Sequence, residues 1–359
     1  MTVPPSDPSA GARRALRALA RHPLVVSPMA GGPSTPALVV AVSGAGALGF
    51  LAGGYTSADA LREEMATVRR AGVDAFGVNL FVPGVPATDP DALTSYLASL
   101  EPDAADLGVE LGAPTWDDDA YRGKLEVLLA EPPAAVSFTF GVPDPAVVAA
   151  LRAAGSLVLV TATTPEEAAT ALRATPDALC LQGSEAGAHR GSLANDDRPD
   201  QDRPLYALLA SVRRRTTIPL VGAGGVGTPE DVAELLRRGA TMVQAGTAFL
   251  RCPESGAAAP YKDALGDPGF GAAGFGATAI TRAFSGRRAR ALANEMVRTH
   301  RDAPAAYPEI NNATRLLRAA AARVGDTGHM SLYAGTGFRL AEVRPAAEVV
   351  ARLVSAVAA

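Results

Sequence analysis

The chain has 359 residues, 48% hydrophobic and 19% charged, with a formal net charge of −4 at pH 7. That composition excludes a disordered chain and leaves either one α/β barrel with an added segment or two domains. Acidic and basic residues are mixed and no basic stripe carries interleaved aromatics, so nucleic acid is excluded as a partner, and no uninterrupted apolar run reaches membrane-spanning length.

In chain order, residues 1–11 are Pro/Ser-rich and polar, lack the apolar core of a signal peptide, and read as a frayed tail. Short apolar runs follow at 24–29, 48–52, 75–81, 135–140, 157–161, 178–182, 218–222 and 242–247. They are rich in Val, Leu, Ile and Phe without polar alternation, the pattern of strands buried on both faces. Helix-like segments separate them. Thr164-Pro165-Glu166-Glu167 and Thr228-Pro229-Glu230-Asp231 each place a capping Thr before a Pro and acidic residues in the first turn. The long connection from 82 to 134 holds predicted helices near 90–100 and 120–129. Strand–helix alternation implies parallel strands. Eight of them predict a closed TIM (β/α)8 barrel, with an open doubly wound sheet as the alternative. After Leu250 the texture becomes Gly-, Ala- and Pro-rich through 278, then helical near 281–300 and 311–324. The predicted organisation is a tail and leading helix over 1–22, a barrel over 23–250, a small helical insertion over 251–344 after the last strand, and a C-terminal helix over 345–359 closing the barrel.

The C-terminal ends of barrel strands carry active sites, and phosphates often bind at the loops after the last two. Here the seventh strand ends in Gly222-Ala223-Gly224-Gly225-Val226 and the eighth in Gln244-Ala245-Gly246-Thr247. Glycine admits close approach of backbone N–H groups to a phosphate, and Thr247 adds a hydroxyl. One such loop would be an ordinary tight turn; two on consecutive strands point to a phosphate-bearing cofactor. After the sixth strand, Gln182-Gly183-Ser184-Glu185-Ala186-Gly187-Ala188-His189-Arg190-Gly191 holds an amide, an acid, an imidazole and a guanidinium on an open loop. His189 is the candidate base near neutral pH, and Arg190 pairs with an anion or an acidic loop residue. His22, His300 and His329 read as surface or capping residues. No HxxxH pair and no cysteine cluster offers a metal site. Cys180 and Cys252 build no disulfide framework and fit a reducing cytoplasm. Asn79, in the third strand, is a buried amide that needs partners. Either the donor–acceptor edge of a flavin or pyrimidine, or a neighbouring loop, would supply them.

The set PMAGGPS (28–34), FGVNLF (76–81), QGSEAGAHRG (182–191), GAGGV (222–226) and QAGTAFL (244–250), with YAGTGFR (333–339) near the end, resembles the nitronate monooxygenase family, formerly 2-nitropropane dioxygenases. The resemblance runs from about residue 24 to 339. It implies an FMN-binding TIM barrel with a small helical substrate domain, and oxidation of alkyl nitronates such as propionate 3-nitronate by O2 to a carbonyl compound and nitrite. The partners it implies are thus a small-molecule nitronate and O2, with a homodimer left open. Carried over by position, Met29, Asn79, Gln182, Gly187, Gly224, Gly225, Gln244, Ala245, Gly246 and Thr247 contact FMN. His189 sits over the flavin as the catalytic residue, and Thr139 and Tyr307 line the substrate pocket. Two positions depart from the family pattern: Ala188 replaces the second glycine of EAGGHRG, and Thr139 stands where many relatives have the His of HFG. The same scaffold would also suit an NAD(P)H-dependent reductase of quinones or enoyl thioesters, or a non-catalytic flavin-binding protein.

Overall fold

The computed structural model describes residues 8–198, 202–270 and 277–357. Positions 1–7 of the expected tail lie outside this range. Residues 8–11 do not fray: they begin a helix, α1 (Pro8–Ala18), whose Leu16 is buried.

The barrel strands are β1 (Leu24–Val26), β2 (Leu48–Ala52), β3 (Gly77–Phe81), β4 (Ala135–Thr139), β5 (Leu157–Ala162) and β6 (Ala178–Gln182). A two-residue strand, β7 (Ala188–His189), leaves the barrel before β8 (Leu220–Ala223) and β9 (Met242–Ala245) complete it. The order β1-β2-β3-β4-β5-β6-β8-β9 is parallel throughout and closes by pairing Val25 with Gln244. All eight lie on the predicted apolar runs. Between them run α2 (Pro36–Gly44), α3 (Ala58–Arg70), α4 (Pro90–Asp106), α5 (Tyr121–Ala130), α6 (Pro145–Ala153), α7 (Pro165–Leu172), α8 (Leu205–Arg213) and α9 (Pro229–Arg237).

The helix starts follow from local chemistry. Thr35, Thr164 and Thr228 accept hydrogen bonds from the first-turn amides of α2, α7 and α9, each followed by Pro. Asp231 returns the bond to Thr228, completing a capping box. Inside the barrel Val25, Leu48, Phe50, Ala135, Leu159, Cys180, Val221 and Met242 form one apolar cluster. Gly77 is required there, because a Cβ would lie 2.3 Å from the Phe50 ring. Leu16 packs against residues that open their strands, such as Leu48, Ala135 and Met242, and so plugs the N-terminal end.

The segment 251–344 holds helices α10 (Ala259–Ala264), α11 (Glu295–Thr299) and α12 (Glu309–Val324), but it is not purely helical. Of the stretch 281–300, expected as helix, only α11 is helical; its earlier part instead supplies the end of β10 (Thr278–Thr281) and all of β11 (Ala289–Leu292), which pair as an antiparallel hairpin. β11 also pairs with β7, Ala289 opposite His189 and Arg290 opposite Ala188. The chain ends in α13 (Ala346–Leu353), which packs on α2 and α9. Among the described residues, no helix is long and apolar enough to cross a membrane.

Candidate active site

At the C-terminal ends of the strands a cavity of about 1160 Å3 opens, lined by residues of both the barrel and the 251–344 segment. Its floor holds side chains pointing up the barrel, including Asn79, Ser137, Thr139, Thr161, Cys180 and Gln244.

One wall is a cradle of small residues. Gly224 and Gly225 have φ of +116° and +72°, and the amides of Gly224, Gly225 and Gly246 donate to no acceptor among the described residues. Close packing fixes these turns. A Cβ on Gly224 would come 3.0 Å from Ala186 N, one on Gly246 3.1 Å from Ser27, and one on Gly187 2.4 Å from Gly335 N. Thr247 Oγ1 accepts from Gly335 N at 3.0 Å, which leaves its own proton free to donate. Free amides converging with a hydroxyl form a site for a phosphate or similar anion.

Asn79 resolves its two readings by dividing its atoms. Its Nδ2 donates to Ser137 O (3.1 Å), Ser137 Oγ (2.9 Å) and Thr139 Oγ1 (3.0 Å), while Oδ1 accepts from no described residue. The amide therefore clamps β3 to β4 and offers an acceptor to the cavity. Gln182 is more committed. Its Oε1 accepts from Arg190 Nη1 (3.1 Å) and Gly191 N (2.8 Å), and its Nε2 donates to His189 O (3.0 Å).

His189 stands at the cavity among rings: Tyr333 at 5.1 Å, Phe140 at 5.7 Å and Tyr307 at 5.8 Å between centroids. Its Nε2 lies 2.8 Å from Ser285 Oγ. Ser285 Oγ also lies 3.3 Å from Arg287 O; with the hydroxyl proton turned to that carbonyl, Nε2–H donates to Ser285 and Nδ1 carries the free lone pair. Burial in the cavity, then the positive charges of Arg287 and Arg318, hold the imidazole pKa down to about 3. The ring is therefore neutral at physiological pH. No Asp or Glu pairs with Arg287 or Arg318 among the described residues, so the charges acting on His189 are positive, while Asp117, Asp118, Asp119 and Arg315 also line the cavity.

The nitronate monooxygenase family model matches residues 13–356. The chain belongs to this family. Among its relatives is a nitronate monooxygenase of Pseudomonas aeruginosa, 40% identical over 93% of this chain and 95% of the relative. Another from Paraburkholderia phytofirmans is 36% identical over 92% and 91%. A solved nitroalkane oxidase of Streptomyces ansochromogenes is 47% identical, with a TM-score of 0.90 over 95% of this chain and 97% of that one. FabK of Thermotoga maritima, 24% identical with a TM-score of 0.70 over 95% and 94%, shares the fold.

In this chain the cavity brings together every residue assigned from the sequence: Met29, Asn79, Thr139, Gln182, Gly187 and His189 with Gly224, Gly225, Gln244, Ala245, Gly246, Thr247 and Tyr307. Two other residues of the sixth-strand loop have structural employment instead. Glu185 accepts from Leu205 N and so caps α8. Arg190 is buried, donates to Gln182 O and Gly183 O, and lies 3.5 Å from Asp202. His300 and His329 pair with Asp103 and Asp326, away from the cavity. Sequence reading missed Tyr55, Phe140, Arg287 and Arg318, all cavity residues. Tyr307 donates to Tyr55 Oη at 3.1 Å across 252 positions of chain. No local motif marks such a pair. Phe140 left one legible trace, its place beside Thr139 in the family's HFG position.

Proposed function

We propose that this enzyme holds FMN in the cavity and oxidises alkyl nitronates, such as propionate 3-nitronate, with O2 to a carbonyl compound and nitrite. Membership of the family makes it an oxidoreductase of nitronates; the cofactor, the oxidant and the residue roles are our reading. The observation that carries it is a neutral His189 in the cavity on which the guanidiniums of Arg287 and Arg318, neither paired with a carboxylate, both act, a local setting suited to an anionic substrate.

The residues fit FMN. The free amides of Gly224, Gly225 and Gly246 and the Thr247 hydroxyl suit its phosphate, Asn79 Oδ1 suits a ring N–H, and Met29 and Gln244 line the same space. Gln182 and Gly187 support the cradle, one by holding the His189 loop and the other by its contact with Gly335. A bound flavin would supply the electron-transfer chemistry between the substrate and O2. The protein then has to bind, orient and manage a proton. His189 Nδ1 is the acceptor for a proton next to the nitro group. With a pKa near 3 it is a weak base toward a neutral nitroalkane. An anion beside it raises its basicity. Preformed nitronates are therefore the better substrates, and their kcat/KM should exceed that of the neutral nitroalkanes by ~100-fold or more. Equal values for the two forms would mean that the proton is removed by a base stronger than this imidazole.

The 251–344 segment supplies Tyr261, Arg287, Tyr307, Asn312, Arg318 and Tyr333 to the cavity, which supports a substrate-binding role for it. Free, buried Cys180 and Cys252 suit a reducing cytoplasm. The test is an absorbance spectrum of the purified protein during addition of a nitronate, with nitrite and O2 followed in parallel. A flavin spectrum, O2 uptake and nitrite release are expected. A flavin spectrum without nitrite from any alkyl nitronate would overturn the reaction but not the cofactor. Rapid anaerobic bleaching by NADH or NADPH would favour the reductase reading.

A further inference from the structure

We propose that Arg287 is the substrate-anchoring residue of the cavity, gripping a planar anion with two oxygens on one trigonal atom. The nature of that anion rests on the nitronate reading; the existence of the anion site does not.

Arg287 is 5% exposed and lines the cavity. One Nη donates to Ser192 O. Its Nε and the other Nη have no partner among the described residues, and no carboxylate lies within ion-pair distance. A buried cation without a counter-charge is costly unless a ligand supplies the charge. The guanidinium is also held flat: its carbon sits 3.9 Å from the centroid of the Phe140 ring. Phe140 is itself packed against Phe81, with centroids 4.4 Å apart, and holds a φ of +75° that a bulky residue rarely adopts. That strained aromatic shelf orients the plane of the fork. A planar fork with free N–H groups matches the O–N–O edge of a nitronate or the O–C–O edge of a carboxylate, whereas an ammonium would not. Ser285 ties the backbone of Arg287 to the imidazole, since its Oγ is within hydrogen-bond reach of both His189 Nε2 (2.8 Å) and the Arg287 main-chain N (3.3 Å). Arg318 adds charge but is anchored by Asn311 and Thr314.

The anion has two sources, the nitronate group itself or a carboxylate elsewhere on the substrate. The experiment uses the flavin-loaded enzyme and its Arg287→Gln and Arg287→Lys variants. KM and kcat are measured with propyl-2-nitronate and propionate 3-nitronate, and nitrate binding is measured by calorimetry without turnover. Loss of charge-assisted hydrogen bonds should raise KM by roughly 10- to 100-fold in Arg287→Gln, with a smaller change in kcat. Nitrate binding should disappear with it. Arg287→Lys keeps the charge without the fork and should still show a raised KM, which serves if the Gln variant does not fold. A rise with both substrates assigns the fork to the nitronate group, and a rise confined to propionate 3-nitronate assigns it to the carboxylate. Unchanged KM for both substrates, with nitrate still bound, overturns the proposal. If wild type releases no nitrite but binds nitrate through Arg287, the site stands and the nitronate reading falls.

Discussion

Ala188 holds a φ of +62°, a left-handed conformation that costs an L-residue with a Cβ roughly 1–2 kcal/mol. Its neighbour His189 pairs with β11, so the loop cannot relax without moving the imidazole. Replacing Ala188 with Gly should raise stability by about 0.5–1 kcal/mol once the greater freedom of the unfolded chain is deducted, read as a shift in denaturation midpoint. A loss of stability would mean the methyl makes contacts that outweigh the strain. His189 itself makes stability depend on pH. Its folded pKa, about 3, lies below the ordinary 6.5. Above pH 6.5 the imidazole is neutral in both states and this effect is absent. Below it the unfolded chain takes up a proton that the folded chain refuses, so stability falls as pH drops from 6.5 toward 3. His189→Asn should flatten that fall in thermal melts between pH 7 and pH 4.5. Identical slopes would place His189 in a more solvated state than the cavity implies. His189 was legible in the sequence because glycines flank it at the end of a strand. Arg287 was not, because an isolated Arg-Arg pair gives no sign of which guanidinium will be buried without a counter-charge.

At the scale of elements, the cradle depends on two loops pressed together. Gly187 meets Gly335 so closely that a Cβ would lie 2.4 Å from its amide nitrogen, and Thr336 N donates to Glu185 O at 3.0 Å. Gly187→Ala should force the loops apart and weaken binding of the proposed flavin by about tenfold, measured by titrating flavin into the stripped enzyme. Unchanged affinity would mean that the 333–337 loop does not shape the cofactor site. The barrel strands were legible because both of their faces are buried and their runs are continuously apolar. The β10–β11 hairpin was not. Ala289-Arg290-Ala291-Leu292 carries no β-branched residue and reads as good helix. Pairing with β10 on one side and Ala188–His189 on the other overrides that propensity.

On the scale of the whole molecule, the barrel is open at one end for the cavity and stoppered at the other by α1. Leu16 is 1% exposed against residues of several strands. Leu16→Ala should cost about 2–4 kcal/mol through the cavity it leaves, read from chemical denaturation, with little effect on KM. A small loss would mean the strands close that end unaided. The sequence made the barrel readable as a repeat of strand and helix, but it gave no sign that the 251–344 segment is joined to the barrel through a shared sheet. That join has a consequence for protein engineering. β7 belongs by chain position to the barrel and by hydrogen bonding to the sheet of the later segment. A chimera taking its barrel from one relative and its cover from another would have to inherit residues 188–189 and 289–290 from the same parent. Otherwise the graft would join in sequence yet set the imidazole out of line.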